Sequence, residues 1–150
     1  MKSDMGEGKK VLWLNKIGKF LENEKLSFEP YKKLPAFSLG FKAEEGRVNM
    51  LIFTSAEQSD DQPSYVVIIA YMPIAIDRSR IGDVLTWLNE KNSTFTTGNY
   101  EIRPEDDQVI FKLGTRIWPG FQADHLRLLI DMAATEAYDI GPELMRFAKL

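Results

Sequence analysis

Cysteine is absent and histidine occurs once in the 150 residues. Those two counts exclude disulfides, thiol catalysis, CxxC redox chemistry, Cys-ligated zinc and any two-histidine metal site. Phosphate-cradling glycine motifs are missing as well. The one close glycine pair, Gly6-Glu7-Gly8, follows no strand, and neither Gly8-Lys9 nor Gly18-Lys19 sits in a GxxxxGKS/T loop. No GxSxG occurs, and any serine nucleophile would have to share His125 as its base. No stretch approaches the ~18 apolar residues that span a bilayer, and the first residues lack the apolar centre of a signal peptide. The expectation is a cytoplasmic protein with no membrane partner. A net charge of −3 and a pI near 5.3 leave no whole-chain field to gather phosphate, so nucleic acid is not an expected partner.

What is present describes one globular domain. With 44% hydrophobic and 27% charged residues, a chain of this length buries roughly 70% of its unfolded surface. Residues 1–8 carry almost nothing to bury and read as a disordered tail, which leaves 9–150 as a single domain. The −3 total hides an asymmetry: the first fifty residues sum to +3 and the remainder to −6. Such a basic leading segment is either a solvated face or a contact for an acidic partner.

Between Lys10 and Lys25, Trp13, Leu14, Ile17, Phe20 and Leu21 recur at three- and four-residue steps, the mark of an amphipathic helix that Gly18 weakens. Pro30 and Pro35 make Leu26 to Pro35 an extended connection. Phe37, Leu39 and Phe41 then alternate with polar or small residues, Glu44 to Arg47 supplies a turn, and Val48, Met50 and Ile52 alternate again, which predicts a hairpin. Tyr65 to Met72 is apolar without a break, as in a central strand covered on both faces or lying at a dimer contact. Asp77 or Ser79 can cap the next helix, whose face is Ile81, Val84, Leu85 and Leu88 and which ends near Asn92 or Ser93. A second hairpin, Tyr100 to Leu113 around Pro104-Glu105-Asp106-Asp107, precedes a helix from Ala123 to about Asp139; Gly141-Pro142 is expected to break it before a short terminal helix. The order helix, three strands, helix, two strands, helix predicts an α+β fold with one antiparallel sheet packed with helices.

Few residues carry chemistry. His125, beside Asp124 in the last long helix, reads as a surface or boundary residue rather than a catalyst. Asp60-Asp61 and Glu105-Asp106-Asp107 fall at loop tips, where hydration satisfies them without a partner, and neither has calcium-loop spacing. Large side chains say more. Trp87 widens the apolar surface of its helix beyond what one sheet face needs, while Trp118 and Phe121 flank Pro119-Gly120, where an aromatic either closes the core or anchors a partner.

The run Tyr65 to Pro73, the helix end Trp87-Leu88-Asn89-Glu90-Lys91-Asn92 and the hairpin Gly98 to Leu113 resemble the YbjN-like group of bacterial proteins, and in particular an uncharacterised branch from cyanobacteria and chloroplasts. That group shares the fold of type III secretion chaperones, and its element order matches from about Val11 to Ala134. The resemblance implies a small, acidic, cytoplasmic, dimeric protein that acts by binding proteins, with no catalytic residues to carry over.

The reading is therefore a non-enzymatic homodimeric regulator or chaperone-like adaptor that takes a polypeptide segment at a sheet edge or in an apolar groove, with Trp87 at the dimer face and Trp118 and Phe121 at a groove rim. No cofactor or metal is expected. The alternative is a small-molecule sensor or carboxylate-based enzyme with a pocket between sheet and helix.

Overall fold

Two-residue alternation in the sequence becomes the two faces of one sheet. The computed structural model describes residues 15–31, 36–55, 65–117 and 120–149. Within them, helix α1 (15–23) precedes a short strand β1 (Phe28–Pro30), the hairpin β2 (Ala36–Ala43) and β3 (Gly46–Ser55), and the long strand β4 (Tyr65–Ala75). A 3-10 turn (Arg78–Arg80) leads into α2 (Ile81–Asn92); β5 (Asn99–Ile102) and β6 (Gln108–Arg116) form the second hairpin, and α3 (Ala123–Leu144) runs into a last 3-10 turn (Met145–Phe147). The strands form one sheet in the order β1-β2-β3-β4-β6-β5, with every neighbouring pair antiparallel. The predicted α+β class and single antiparallel sheet are what the structure has.

All three helices pack on the same face. Leu39, Met50, Ile52, Val66, Ile68 and Leu113 project from the strands into one core cluster with Ile17 and Leu21 of α1, Val84 and Leu88 of α2, and Leu126, Ile130, Ala133 and Ala137 of α3. Each such burial of a Leu, Ile or Val side chain contributes about 1.5–3 kcal/mol. Gly18, which weakens α1 as a helix, lets it lie close to the sheet: a Cβ there would stand 2.9 Å from the Phe37 ring. The uninterrupted run of β4 resolves into two sides. Val66, Ile68, Ala70, Met72 and Ile74 are at most 5% exposed beneath the helices, whereas Tyr65, Val67, Ile69 and Tyr71 are half-buried on the opposite face.

Four local expectations need correction. Phe28–Pro30, expected as a mere connection, pairs with Pro30↔Phe37 and Phe28↔Leu39 and adds an edge strand, which Pro30 tolerates because an edge N–H need not donate. β4, expected over Tyr65 to Met72, runs on through Pro73 to Ala75 past a register shift after Tyr71. Gly141-Pro142 does not break α3, which continues to Leu144. The helix survives because Tyr138, whose carbonyl loses its donor to Pro142, is on the exposed side; Gly141 is buried where the Glu45 carboxylate would collide with any Cβ. The acids of the β5–β6 turn also have partners: Asp106 pairs with Arg103 at 2.8 Å and Asp107 with Arg78 at 3.1 Å. Asp77 caps as expected, but it caps the 3-10 turn. Its carboxylate accepts from the Ser79 N–H and hydroxyl, and these bonds hold its pKa below the usual carboxylate value. Residues 1–8 and 10–14, Asp60-Asp61, Trp118 and Pro119 lie outside the described residues.

Candidate protein-binding surfaces

Phe121 and His125 are brought together at the start of α3. Their rings stack with centroids 5.6 Å apart and planes 26° from parallel. His125 Nδ1 accepts the Gln122 backbone N–H at 3.0 Å, so the single imidazole serves one of the orphan donors at the helix start. Phe121 forms part of the wall of a groove of about 380 Å³ between α1 and α3, floored by Ile17, Phe20 and Leu126, with Lys16 and Lys19 on its rim. The structure thus places Phe121 in a groove wall. Trp118, its intended companion, lies outside the described residues.

Trp87 occupies a different place. Its ring packs at 5.4 Å on Phe147 of the C-terminal turn, with Arg146 and Lys91 at 5.1 and 5.6 Å from its centroid. Arg80 donates to the Arg146 carbonyl and lies 4.8 Å from the Phe147 ring. Backbone bonds then tie the terminus to the end of β4: Asp77 N–H to Phe147 O at 2.9 Å and Lys149 N–H to Ala75 O at 2.8 Å. A half-buried Trp87 therefore holds the chain end against α2. Leu85, on the same helix, is 52% exposed.

Both edges of the sheet are protected. On β5, the Asn92 side chain donates to the Tyr100 carbonyl at 3.0 Å and accepts its N–H at 2.7 Å, occupying backbone groups that an added strand would need. On the other side β1 is three residues long and ends at Pro30, which has no N–H to offer.

The uncovered face of the sheet is only half visible in the sequence, where the apolar run of β4 fits either double coverage or a dimer contact. Register places Leu51 beside Ile69, Phe53 beside Val67, and Tyr71 beside Ile110. None of these six belongs to the core cluster or packs against it; Ile110 is nonetheless 5% exposed, beside a Tyr71 ring that carries Arg103 at 5.3 Å, and the other five are half-buried. Around this apolar stripe stand exposed cations: Lys42 directly opposite Arg47 at one end, Arg116 opposite Tyr65 at the other, and Lys112 beside Ile69. Among the described strand residues the acids on this face are Glu29 and Glu101, on the two edge strands, and Asp106 pairs at 2.8 Å with the Arg103 that lies 5.3 Å from the Tyr71 ring. Arg47 lies flat across the sheet over Gly40, where its guanidinium nitrogens fall 2.6 Å and 2.8 Å from the site of a Cβ. The available signal was parity: the intervening residues of β3 and β4, Leu51, Phe53, Val67 and Ile69, are apolar where a solvated face would be polar.

Enzyme-like features are sparse. Among the described residues no group of three His, Asp or Glu side chains is arranged to hold a metal ion, and no helix is long and apolar enough to cross a membrane. The one strongly perturbed phenol, Tyr100, is raised by burial and by neighbouring Glu136, to which it donates at 3.0 Å; it is a core group, not one in a cleft.

No protein-family model matches the chain, and no curated protein matches it. Among solved structures, the crystal structure of YbjN from E. coli is similar over 87% of this chain and 89% of that one, with a TM-score of 0.62 and 13% sequence identity. At that identity the likeness is one of fold, and the fold of this chain is YbjN-like.

Proposed function

We propose that the chain is a non-enzymatic module that binds a polypeptide partner. The observation that supports this is the open sheet face, where Leu51, Phe53, Val67 and Ile69 form an apolar stripe that serves no internal core. These side chains are half-buried and none contributes to the core, which leaves them as surface for an interaction. The two guarded edges weigh against strand addition as the mode of binding, which leaves the face and the α1–α3 groove. Placement in the cyanobacterial and chloroplast branch, with a chaperone-like or regulatory role in the cytoplasm, belongs to the same proposal.

Homodimer formation is the finer part of this reading, with the α2 surface carrying Leu85 and Trp87 as the candidate contact. Light scattering at micromolar concentration tests it, and a strictly monomeric mass removes it. Partner binding is tested separately by affinity capture read by mass spectrometry, with wild type and Ile69→Glu in parallel. Proteins enriched by the wild type and lost with the variant support the reading. A co-purifying small molecule with no enriched protein overturns it.

A further inference from the structure

We propose that the open sheet face receives an amphipathic helix bearing carboxylates, laid along β3 and β4. This rests on the protein-binding reading above and names the chemistry of the partner. Three observations combine. The first is width: the apolar stripe is carried mainly by two neighbouring strands, about 10 Å across with their side chains, which matches the diameter of one helix. The second is length. The apolar stripe itself rises about 14 Å from Val67 to Tyr71, and the face between its terminal cations Arg47 and Arg116 rises about 27 Å, which equals roughly 18 helical residues.

The third is charge. Lys42 and Arg47 face each other directly across β2 and β3, a like-charge pairing that costs stability in the free protein. Arg116 stands at the far end of the stripe and Lys112 along its side. Among the described residues Lys42, Arg47 and Lys112 have no ion pair within the chain. A helix with Leu-like residues on one side and Glu or Asp along its flanks would cover Leu51, Phe53, Val67 and Ile69 while relieving that repulsion.

The same features weigh against other occupants. A second copy offers no carboxylates from its inner strands, since Glu29 and Glu101 lie on β1 and β5. Single-stranded nucleic acid is held by stacking successive bases on aromatic faces beside cations. Here the rings of Tyr65 and Tyr71 already carry Arg116 and Arg103 at 5.7 and 5.3 Å, which leaves Phe53 as a single ring rather than a run of stacking platforms. A bilayer calls for protruding apolar groups, and the stripe residues are half-buried in the sheet surface.

The test uses four labelled probes titrated by fluorescence anisotropy against the full chain: an 18-residue Leu-striped helix with Glu flanks, the same helix with Lys flanks, an 18-nucleotide oligothymidylate, and vesicles containing anionic lipid. The Glu-flanked helix should bind at least tenfold more tightly than the Lys-flanked one. Its affinity should fall with added salt and drop about tenfold in both Arg47→Glu and Lys112→Glu, with amide shifts mapping to β3, β4 and β6. Both substitutions are at exposed positions, and unchanged circular dichroism and melting confirm folding. Equal affinity for the two helices, tighter binding to the oligonucleotide or vesicles, or amide shifts confined to the α1–α3 groove each overturn the inference. If the Glu-flanked helix fails while captured proteins still depend on Ile69, the inference falls and the protein-binding reading stands; if both fail, both fall.

Discussion

The Asn92 side chain pairs with the backbone of Tyr100 as another strand would, donating to its carbonyl at 3.0 Å and accepting its N–H at 2.7 Å. The last residue of α2 thereby closes the outer edge of β5. The amide at the helix end Leu88-Asn89-Glu90-Lys91-Asn92 thereby has a structural reason. Only a primary amide of this length offers a donor and an acceptor side by side to one residue's peptide groups.

Replacing Asn92 by Ala strands both groups of Tyr100 in a partly buried position. The expected cost is about 2–3 kcal/mol, read as a lower denaturant midpoint at unchanged slope. Asn92→Asp keeps the acceptor and should lose less. The opened edge should also self-associate, so light scattering of Asn92→Ala should rise with concentration. An unaltered midpoint would show that the bonds do not hold the edge.

Tyr100 gives a pH test. Burial, then the nearby Glu136 carboxylate, raises its pKa well above the ordinary phenol value in the folded chain. The folded state therefore keeps this proton where the unfolded state, with its phenol near 10, gives it up. Stability from this source is full below pH ~10 and is lost as pH rises further. The loss is about 1.4 kcal/mol by pH 11. Tyr100→Phe lacks this linkage, so its deficit relative to wild type should shrink between pH 9 and 11 in urea unfolding. A constant deficit would contradict the assignment.

How much of this was legible depends on the kind of contact. Hydrophobic periodicity located the helices and both hairpins, because Leu39, Met50 and Ile68 must share a face whatever surrounds them. It misjudged the segments governed by tertiary neighbours. Gly141 sits in α3 where Glu45 of the β2–β3 turn, about a hundred positions away in sequence, leaves no room for a Cβ. The open face was half visible, since the apolar run of β4 admitted either double coverage or an interface. Cations on that face come from β2, β3 and β6, and only register brings them together. The contact between Trp87 and Phe147 joins positions that no local pattern relates.

Gly98 should not tolerate a side chain. Its φ of +86° lies in the left-handed region, and a Cβ would come 2.7 Å from the Phe111 ring. That ring is 1% exposed and packs against Tyr100 at 4.9 Å and Phe95 at 5.7 Å, so it has little room to yield. Gly98→Ala should cost about 2 kcal/mol or more from backbone strain and overpacking together. Gly82→Ala is the control, since nothing lies within 4 Å of a Cβ there, and helix propensity predicts a small gain. Thermal melts of the two variants should move in opposite directions.

Trp87 separates an internal role from an intermolecular one. Its ring supports Phe147, and through it the backbone bonds Asp77 to Phe147 and Lys149 to Ala75. Trp87→Ala should cost about 2 kcal/mol, less than a fully buried aromatic because the ring is half-buried. In native-state hydrogen exchange the Asp77 and Lys149 amides should lose protection more than those pairing β3 with β4, because a locally released terminus opens without the sheet. Trp87→Phe, which keeps a ring against Phe147, should restore most of that protection. Light scattering on the same samples reads the intermolecular role. A mass that drops in Trp87→Ala but not in Phe147→Ala, although both free the terminus, would place Trp87 at a contact between copies; equal masses with matched loss of amide protection would confine it to holding the chain end.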